Sequence, residues 1–336
     1  MLKIIFVIIG TIIGAGFASG QEIILFFQRF GWIGFLGLLF SNFITACVIY
    51  QVLNIVWKKD IYSYKDFLEQ IIGRKKKTVL CINSIVNSFL MISFYIMIAG
   101  FGAYFFQEFK IPSYIGAFIG GGICLFIFYG NVKGIVKVNQ VLIPFLIFLI
   151  CMLGYVNLSN MEWKLATGTS HLKGIINSIS YASYNSILLI PILVSMKEFI
   201  KEKKQIKVIA LFCFLIFTSL AMILFFLLNS FPVDSSMVEI PILHIASQKG
   251  KLFQYLYGGV ILAAILTSAI SAGYGLLNNI TKSRRAYIVY NGLLCITGIL
   301  ISQFGFSNLV EILYPVFGYL GLLQIIFVFR KNYCQK

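Results

Sequence analysis

The chain has 336 residues, of which 60% are hydrophobic and 11% charged, and its mean hydropathy is +0.93. This composition is that of a polytopic membrane protein and excludes a soluble domain. The net charge of +16 would suggest nucleic acid as the partner of a soluble protein. In a membrane protein basic residues set orientation instead, so we expect the lipid bilayer and no nucleic acid as partner. The seven cysteines are scattered without a C-x-x-C pattern, which indicates neither a disulfide framework nor a zinc site.

The first hydrophobic segment, 3–30, is interrupted at its middle by the run G-A-G-F-A-S-G-Q-E, from Gly14 to Glu22. Glycine weakens a helix, and a carboxylate at mid-span costs about 2.5–3.5 kcal/mol unless it faces a cavity or a partner. Helical backbone is broken at this depth only where it lines protein or water, so the run predicts a ligand site. Close helix packing through small-xxx-small pairs is one alternative. A signal peptide is another, disfavoured because hydrophobicity resumes at once.

Apolar segments of about membrane-spanning length recur along the chain. They lie near 3–30, 32–57, 78–106, 111–129, 134–156, 172–197, 206–229, 251–280, 286–303 and 308–330. We therefore predict an all-α membrane protein with ten transmembrane helices in one domain, 1–336. With the N-terminus inside, the even-numbered connections and the termini hold all but six of the 27 basic residues. The positive-inside rule then predicts a multi-pass protein of the cell membrane with both termini in the cytoplasm.

Two halves of the chain have matching features. Segment six carries a mid-span polar patch from Ser178 to Ser186, and an offset of 171 residues relates Gly14 to Asn185 and Pro144 to Pro315. Each half holds five segments, an odd number, so the second half runs through the membrane upside down. This predicts two inverted five-helix repeats, 1–156 and 172–330, with helices 1 and 6 discontinuous.

Segment eight supplies a third polar patch, from Ala263 to Gly273. Thr267 and Ser271 are four residues apart and share a helix face, with Ser268 beside them. Hydroxyl groups and carbonyl oxygens freed by a broken helix would form an uncharged cage of hard oxygens, which suits Na⁺. The alternative is that these hydroxyls bond back to their own helix or hold neighbouring helices together.

The glycine opening from Ile13 to Glu22, the ten segments and the length resemble the YkvI-like bacterial membrane proteins. The arrangement also resembles the LeuT-type fold of the amino acid–polyamine–organocation (APC) superfamily. In sodium-coupled members of this fold, one Na⁺ site joins carbonyls of the first-helix break to an Ala-x-x-Thr-Ser pattern on the eighth helix. The resemblance thus implies a Na⁺ site formed by Gly14, Phe17, Ala264, Thr267 and Ser268. Proton-coupled relatives can carry a lysine in the fifth helix, where this chain has only Lys137 at the end of the segment.

The expected function is secondary active transport of a small solute by alternating access, coupled to Na⁺ and without another cofactor. Backbone N–H groups after a helix break favour a carboxylate, hence an amino acid or a related solute. Glu22 would instead meet a substrate amine or belong to a gate. The predicted substrate-binding residues are Gly14, Ala15, Gly16, Phe17, Gln21, Glu22, Tyr95, Tyr181, Tyr184 and Asn185.

Other functions remain open at this point. An enzyme is not expected, because the few mid-span acids are too few for paired acid–base or metal chemistry. A carrier coupled to protons through Glu22 is an alternative, and so is a nutrient sensor that kept the fold and does not transport. The connection 231–250 holds a short apolar run, which we interpret as an outer lid or as an interfacial helix. The sequence indicates no particular oligomeric state.

Overall fold

The computed structural model of the chain describes residues 1–73, 76–129, 135–161, 171–230, 238–281 and 283–333. These residues form fourteen α-helices joined by turns and short 3-10 helices, and contain no β-strand. The helices are α1 (Leu2–Ile12), α2 (Ala15–Ser19), α3 (Gln21–Phe26), α4 (Gly31–Lys59), α5 (Tyr64–Ile72), α6 (Lys76–Phe109), α7 (Ser113–Tyr129), α8 (Ile135–Val156), α9 (His171–Ser195), α10 (Lys203–Ser230), α11 (Pro241–Ser247), α12 (Lys251–Ile280), α13 (Arg284–Ile301) and α14 (Phe306–Tyr333). The all-α prediction is confirmed for this part of the chain.

Within the described ranges, seven helical stretches are long and apolar enough to cross a membrane. They are Gln21–Lys59, Lys77–Phe109, Leu172–Ser195, Lys203–Ser230, Lys251–Ile280, Arg284–Phe304 and Phe306–Arg330. Two shorter apolar helices, Ser113–Tyr129 and Leu142–Val156, accompany them. The count of ten spans, the inverted repeat and the side on which the termini lie stay predictions.

The first segment is interrupted as predicted, but at two points, Gly14 and Gly20, with a helical turn between them where the sequence predicted unwound backbone. α1 ends at Ile12, and Gly14 has an extended backbone with φ −85° and ψ −175°. α2 is a single turn, and Gly20 after it has φ 90° and ψ −9°, a left-handed conformation that glycine adopts at little cost. α3 then continues from Gln21. Helix 1 is therefore discontinuous, and its short middle piece, α2, is buried.

The predicted break in segment six is wrong, because α9 runs without interruption through residues 181–186. The hydroxyl groups of Ser183 and Ser186 donate to the carbonyls of Ile179 and Ala182, each at 2.7 Å. The Asn185 amide likewise donates to an oxygen of its own helix, four residues back. Since these polar side chains find acceptors on the helix itself, they require no freed backbone.

The pieces of helix 1 pack on different neighbours. α1 contacts α8, α9 and α10, whereas α2 contacts α11 and α12, and α3 contacts α9, α10 and α14. α9 lies between α4 and α14. At the second break, a β-carbon on Gly20 would face Ile242 of α11 and Leu228 of α10.

α11 covers the second break, and its place agrees with the outer lid expected for 231–250. Ile242, Leu243 and Ile245 are fully buried, which an interfacial helix would not require. A β-carbon on Gly20 would lie 2.8 Å from Cγ1 of Ile242, so the lid approaches the break closely. The first part of this connection, 231–237, lies outside the described residues.

Candidate functional site

Glu22 is the buried carboxylate at the centre of the fold. It lies in the first turn of α3 and is 3% exposed. Its side chain folds back against Gly16 of α2, where an added β-carbon would lie 3.1 Å from Cδ and 3.2 Å from Cγ of Glu22. Oε2 is shielded from solvent and has no hydrogen-bond partner. The carboxylate thus occupies space that only a glycine at position 16 leaves free.

Three tyrosines, which we call the tyrosine box, surround this carboxylate: Tyr181 and Tyr184 from α9 and Tyr314 from α14. The rings of Tyr184 and Tyr314 stack with centroids 4.7 Å apart, and Tyr181 meets Tyr184 edge-on at 5.4 Å. Phe26 of α3 stacks on Tyr184 at 5.6 Å. Tyr181 and Tyr184 lie near enough to the carboxyl to interact with it through their hydroxyl groups, although neither Oε2 of Glu22 nor the Tyr181 hydroxyl meets the geometry of a hydrogen bond.

A buried carboxylate in such surroundings needs a group that compensates for its lost hydration. An ionised group removed from water costs several kcal/mol unless a counter-charge or hydrogen bonds compensate for the lost hydration. The arrangement can therefore accept a cationic group of a ligand or a proton.

The residues of the expected Na⁺ site lie on α2 and α12, which pack against each other. The carbonyl oxygens of Gly14 and Phe17 each accept one backbone hydrogen bond, of 3.0 and 3.1 Å, and each retains a second lone pair. A β-carbon on Gly14 would meet no atom within 4 Å, so the first break opens onto free space. The donor set of carbonyl and hydroxyl oxygens fits a hard monovalent cation.

On α12, the Thr267 hydroxyl donates to the Ala264 carbonyl at 3.2 Å. This is the bond within its own helix that the alternative interpretation of the patch predicts. Thr267 and Ala264 are buried, and Ser268 is half-buried. About two turns before Ala264 on α12, the Tyr257 hydroxyl donates to the Ala18 carbonyl at 2.8 Å and joins α12 to α2. Binding of Na⁺ stays a prediction.

Three predicted substrate residues lie away from the carboxylate or have other partners. The Gln21 amide donates to Ser307 Oγ at 2.7 Å and to the Glu239 carbonyl at 3.0 Å. The Tyr95 hydroxyl shares a 2.8 Å hydrogen bond with Thr297 of α13. Asn185 bonds to its own helix, as described above. The structure adds Tyr314 to the residues near the Glu22 carboxylate. In the sequence, only the neighbouring Pro315 marked this position.

Gln21 belongs to a polar cluster, here called the outer network, formed by the hydrogen-bonded residues Gln21, Glu239 and Ser307 and by the neighbouring ion pair of Arg29 and Glu311. The Glu239 carboxylate accepts from the Ser307 backbone N–H at 2.8 Å and from its hydroxyl at 3.0 Å. Arg29 and Glu311 form an ion pair. A shallow cavity of about 200 Å³ lies over the network, between α3 and α14. The network therefore closes the end of the site that the charge pattern predicts to face outside.

At the opposite end, Asp60 and Lys197 form an ion pair of 2.8 Å between the end of α4 and the turn after α9. The Lys197 ammonium also lies 4.8 Å above the ring centroid of Trp57. The hydrogen bond from Lys197 holds the pKa of Asp60 below its ordinary value. Across the described ranges, no three His, Cys, Asp or Glu side chains gather where they could hold a metal ion.

The comparisons with known proteins place this geometry among membrane proteins. No family model matches the chain. Its homologues include the uncharacterised membrane protein YkvI of Bacillus subtilis, 28% identical over 96% of this chain and 93% of YkvI. The uncharacterised protein YyaD of the same organism is 26% identical over 97% of this chain and 95% of its own length.

Solved structures confirm the resemblance to the LeuT-type fold. MhsT in complex with L-phenylalanine superposes with a TM-score of 0.66, covering 98% of this chain and 88% of MhsT at 18% identity. A manganese transporter of Eremococcus coleocola gives a TM-score of 0.62 over 97% of this chain and 77% of its own, at 17% identity. A Na⁺-coupled sialic acid symporter gives 0.56 over 96% and 76%, at 13% identity. These likenesses establish the fold.

Proposed function

We propose that this chain, a homologue of YkvI and YyaD with the LeuT-type fold, is a secondary active transporter that moves a small organic solute by alternating access. The observation that carries the proposal is the doubly broken helix 1. Its middle turn, α2, is buried between α11 and α12, and Glu22 beside it has an unpaired oxygen. Discontinuous helices of this kind form the central binding sites of secondary transporters. The solute class is an amino acid or a related carboxylate.

The coupling ion of the proposal is Na⁺, held by the carbonyls of Gly14, Phe17 and Ala264 and the hydroxyls of Thr267 and Ser268. Na⁺ would supply a positive charge that draws α2 and α12 together. The packing of α2 on α12 and the bond from Tyr257 to Ala18 support this pairing. Thr267 would turn its hydroxyl away from Ala264, and this rotation is inexpensive for a side chain on a helix.

Alternating access follows from how the site is closed. The outer network and α11 seal one end, and the Asp60–Lys197 pair bridges two elements at the other. Exchange of solute requires one closure to open while the other holds. The polar contacts of the outer network are easily remade in water, which suits a gate better than an apolar seal does.

The test is uptake into proteoliposomes. Labelled amino acids are supplied with an inward Na⁺ gradient and, in parallel, with choline replacing Na⁺. We expect uptake with Na⁺ only, and its loss in Thr267→Ala/Ser268→Ala. Ser271→Ala, an exposed hydroxyl one turn further along α12, is the matched control and should behave as the wild type. Equal uptake in both buffers would contradict the sodium coupling, and binding without uptake would contradict transport and favour a sensor.

Coupling to protons through Glu22 is the second candidate, favoured by the unpaired Oε2. A buried carboxylate can take up a proton when the site is open to one side and, as a neutral acid, hold it until the site opens to the other side. An inward pH gradient without Na⁺ would then drive uptake, and Glu22→Gln would abolish that component. If the pH gradient has no effect when Na⁺ is absent, this candidate fails.

A further inference from the structure

We propose that exposed lysines at one end of the α4–α10 pair bind the phosphate headgroup of an anionic phospholipid. These lysines, here called the lysine surface, lie at the end of α4 and around the start of α10. They are Lys58, Lys59, Lys201, Lys203, Lys204 and Lys207. The charge pattern predicts that this end of the fold faces the cytoplasm. The lysine surface lies away from the breaks in helix 1, and its role does not depend on transport.

The two groups of lysines come together because α4 and α10 pack side by side in opposite directions. The Asn42 amide of α4 donates to the Thr218 hydroxyl of α10 at 3.3 Å. Phe35, seven residues earlier on α4, has its ring centroid 5.8 Å from that of Phe225, seven residues later on α10. The pairing is therefore antiparallel and keeps one register. The same register sets the end of α4 opposite the start of α10.

The positive charge at this end exceeds what the protein itself neutralises. Residues 58–60 and 197–207 hold seven lysines against three acids. Asp60, the acid that follows α4, is paired with Lys197 at 2.8 Å. Among the described residues the other ion pair is Arg29–Glu311, so the lysine surface takes part in none. An anion from outside the chain can therefore bind here without displacing a carboxylate.

α10 continues from the lysine surface as an exposed apolar stripe. Lys207, Leu211 and Leu215 follow one another at intervals of four residues and so share one helix face. Leu211 and Leu215 are 55% and 49% exposed, and Leu215 lies about 12 Å along the axis from Lys207. This order, charge first and then apolar surface, matches a phospholipid with its headgroup followed by its acyl chains. A soluble anion would gain nothing from the leucines.

Two aromatic residues place this end of the fold at the level of the headgroups. Nζ of Lys197 lies 4.8 Å from the ring centroid of Trp57 and 5.1 Å from that of Tyr62. Tryptophan and tyrosine are enriched where a membrane meets water, and basic clusters at that level attract anionic lipids. A headgroup bound to both groups of lysines would bridge α4 and α10. It would therefore stabilise the same closure as the Asp60–Lys197 pair.

The experiment measures lipid binding to the purified protein in detergent by native mass spectrometry, over a range of lipid concentrations. The probes are phosphatidylglycerol and phosphatidylcholine with the same acyl chains. We expect phosphatidylglycerol to bind about fivefold or more tightly, with a preference that falls as salt is added. Equal binding of the two lipids would overturn the proposal. Displacement of phosphatidylglycerol by inorganic phosphate would also overturn it, because the site would then recognise phosphate without the lipid.

Variants then test the place of the charge. Lys204→Gln/Lys207→Gln should weaken phosphatidylglycerol binding by about fivefold or more. Arg284→Gln/Arg285→Gln removes two exposed charges at the start of α13, on the side predicted to be the same, and should bind as the wild type. Equal losses in the two variants would mean that net charge alone attracts the lipid, and would overturn the proposal.

Two further variants test the bridge and the charge itself. Lys58→Gln/Lys59→Gln should also weaken phosphatidylglycerol binding, and unchanged binding would contradict a site that spans α4 and α10. Lys204→Arg/Lys207→Arg keeps both charges and should bind as the wild type, whereas a loss there would contradict the role of charge. Because these side chains are exposed, we expect every variant to keep the unfolding temperature of the wild type without added lipid.

Discussion

Gly16 and Glu22 share one small volume: the carboxyl group of Glu22 occupies the position where a side chain at residue 16 would begin. This contact couples α2 to α3 across the left-handed Gly20. It places the Glu22 carboxyl against the backbone of α2, the short helical turn between the two breaks in helix 1. The two residues therefore form one structural unit, and a change at either alters the other.

Gly16→Ala tests this unit. The new β-carbon must displace the carboxylate, so we expect a loss of about 1–3 kcal/mol in the free energy of unfolding, as in other overpacked sites. In a Glu22→Ala background the crowding is gone and the same change should be neutral, or stabilising by up to about 1 kcal/mol, since alanine favours a helix. Thermal and denaturant unfolding of the four proteins measures the coupling.

Gly292→Ala is the control for that cycle, because an added β-carbon there meets nothing within 4 Å. It should leave the free energy of unfolding unchanged or slightly raised. If Gly16→Ala destabilises equally with and without Glu22, the two side chains do not compete for space and the unit does not exist.

Tyr257→Phe tests the link between α12 and α2. The change removes one hydroxyl and leaves the buried Ala18 carbonyl without the 2.8 Å bond, at a cost of about 1–3 kcal/mol. We also expect a higher Na⁺ concentration for half-maximal uptake, because α2 loses its anchor. Tyr255→Phe, two residues away and 65% exposed, should change neither quantity. Equal effects of the two variants would remove the special role of Tyr257.

Ser307→Ala tests the closure by the outer network. The Ser307 hydroxyl both donates to Glu239 and accepts from Gln21, so its loss breaks two bonds at once. We expect faster amide hydrogen exchange in the 238–247 segment, read by mass spectrometry. Ser219→Ala removes an exposed hydroxyl that bonds only within α10 and serves as the control. Unchanged exchange in Ser307→Ala would mean that apolar packing of α11 alone holds the closure.

The Asp60–Lys197 pair predicts a defined pH dependence. Its hydrogen bond lowers the pKa of Asp60 and raises that of Lys197. The Asp60 contribution to stability is present above the unfolded pKa near 3.8 and is lost as pH falls through the folded value. The Lys197 contribution is present below the unfolded pKa near 10.5 and is lost as pH rises through the folded value.

Asp60→Asn should therefore lower the unfolding temperature by the same amount from about pH 5 to about pH 9, and by less in acid. Asparagine suits the left-handed backbone of residue 60, whose φ is 54°, so the change tests the charge alone. Glu198→Gln, an exposed acid nearby, is the control. A difference between wild type and Asp60→Asn that grows in acid would contradict the assignment.

The parts of the fold that depend on local chemistry could be predicted from the sequence. An interruption within the run from Gly14 to Glu22 was predictable because glycine forms helices weakly. Only at Gly20, with φ 90°, does the backbone also adopt the left-handed conformation that favours glycine. The polar patch of α9 was not, because serine and asparagine either line a break or bond to their own helix, and local sequence does not decide between the two.

The candidate site was predictable in part, since Tyr181 and Tyr184 of α9 were expected beside Glu22 from the polar patch of their segment. Glu22 and Gly16 are near in sequence and could be found together. Tyr314, which lies near Glu22 in the structure, is far from it in the sequence. The Gln21 side chain instead bonds to Glu239 and Ser307, through contacts that span more than 200 residues. Such pairings depend on how helices pack, which periodicity and composition do not specify.

The five-residue α2 has a thermodynamic consequence of its own. One helical turn cannot persist in isolation, because nucleation of a helix costs more than a single turn returns. The helical conformation of α2 therefore depends on tertiary contacts, with Tyr257 on one side and with the Glu22 carboxylate on the other. Segments of this kind unfold locally well before the whole protein does. A bound ion or solute would then add tertiary contacts to α2. Binding of the ligand and the local folding of α2 would become the same event.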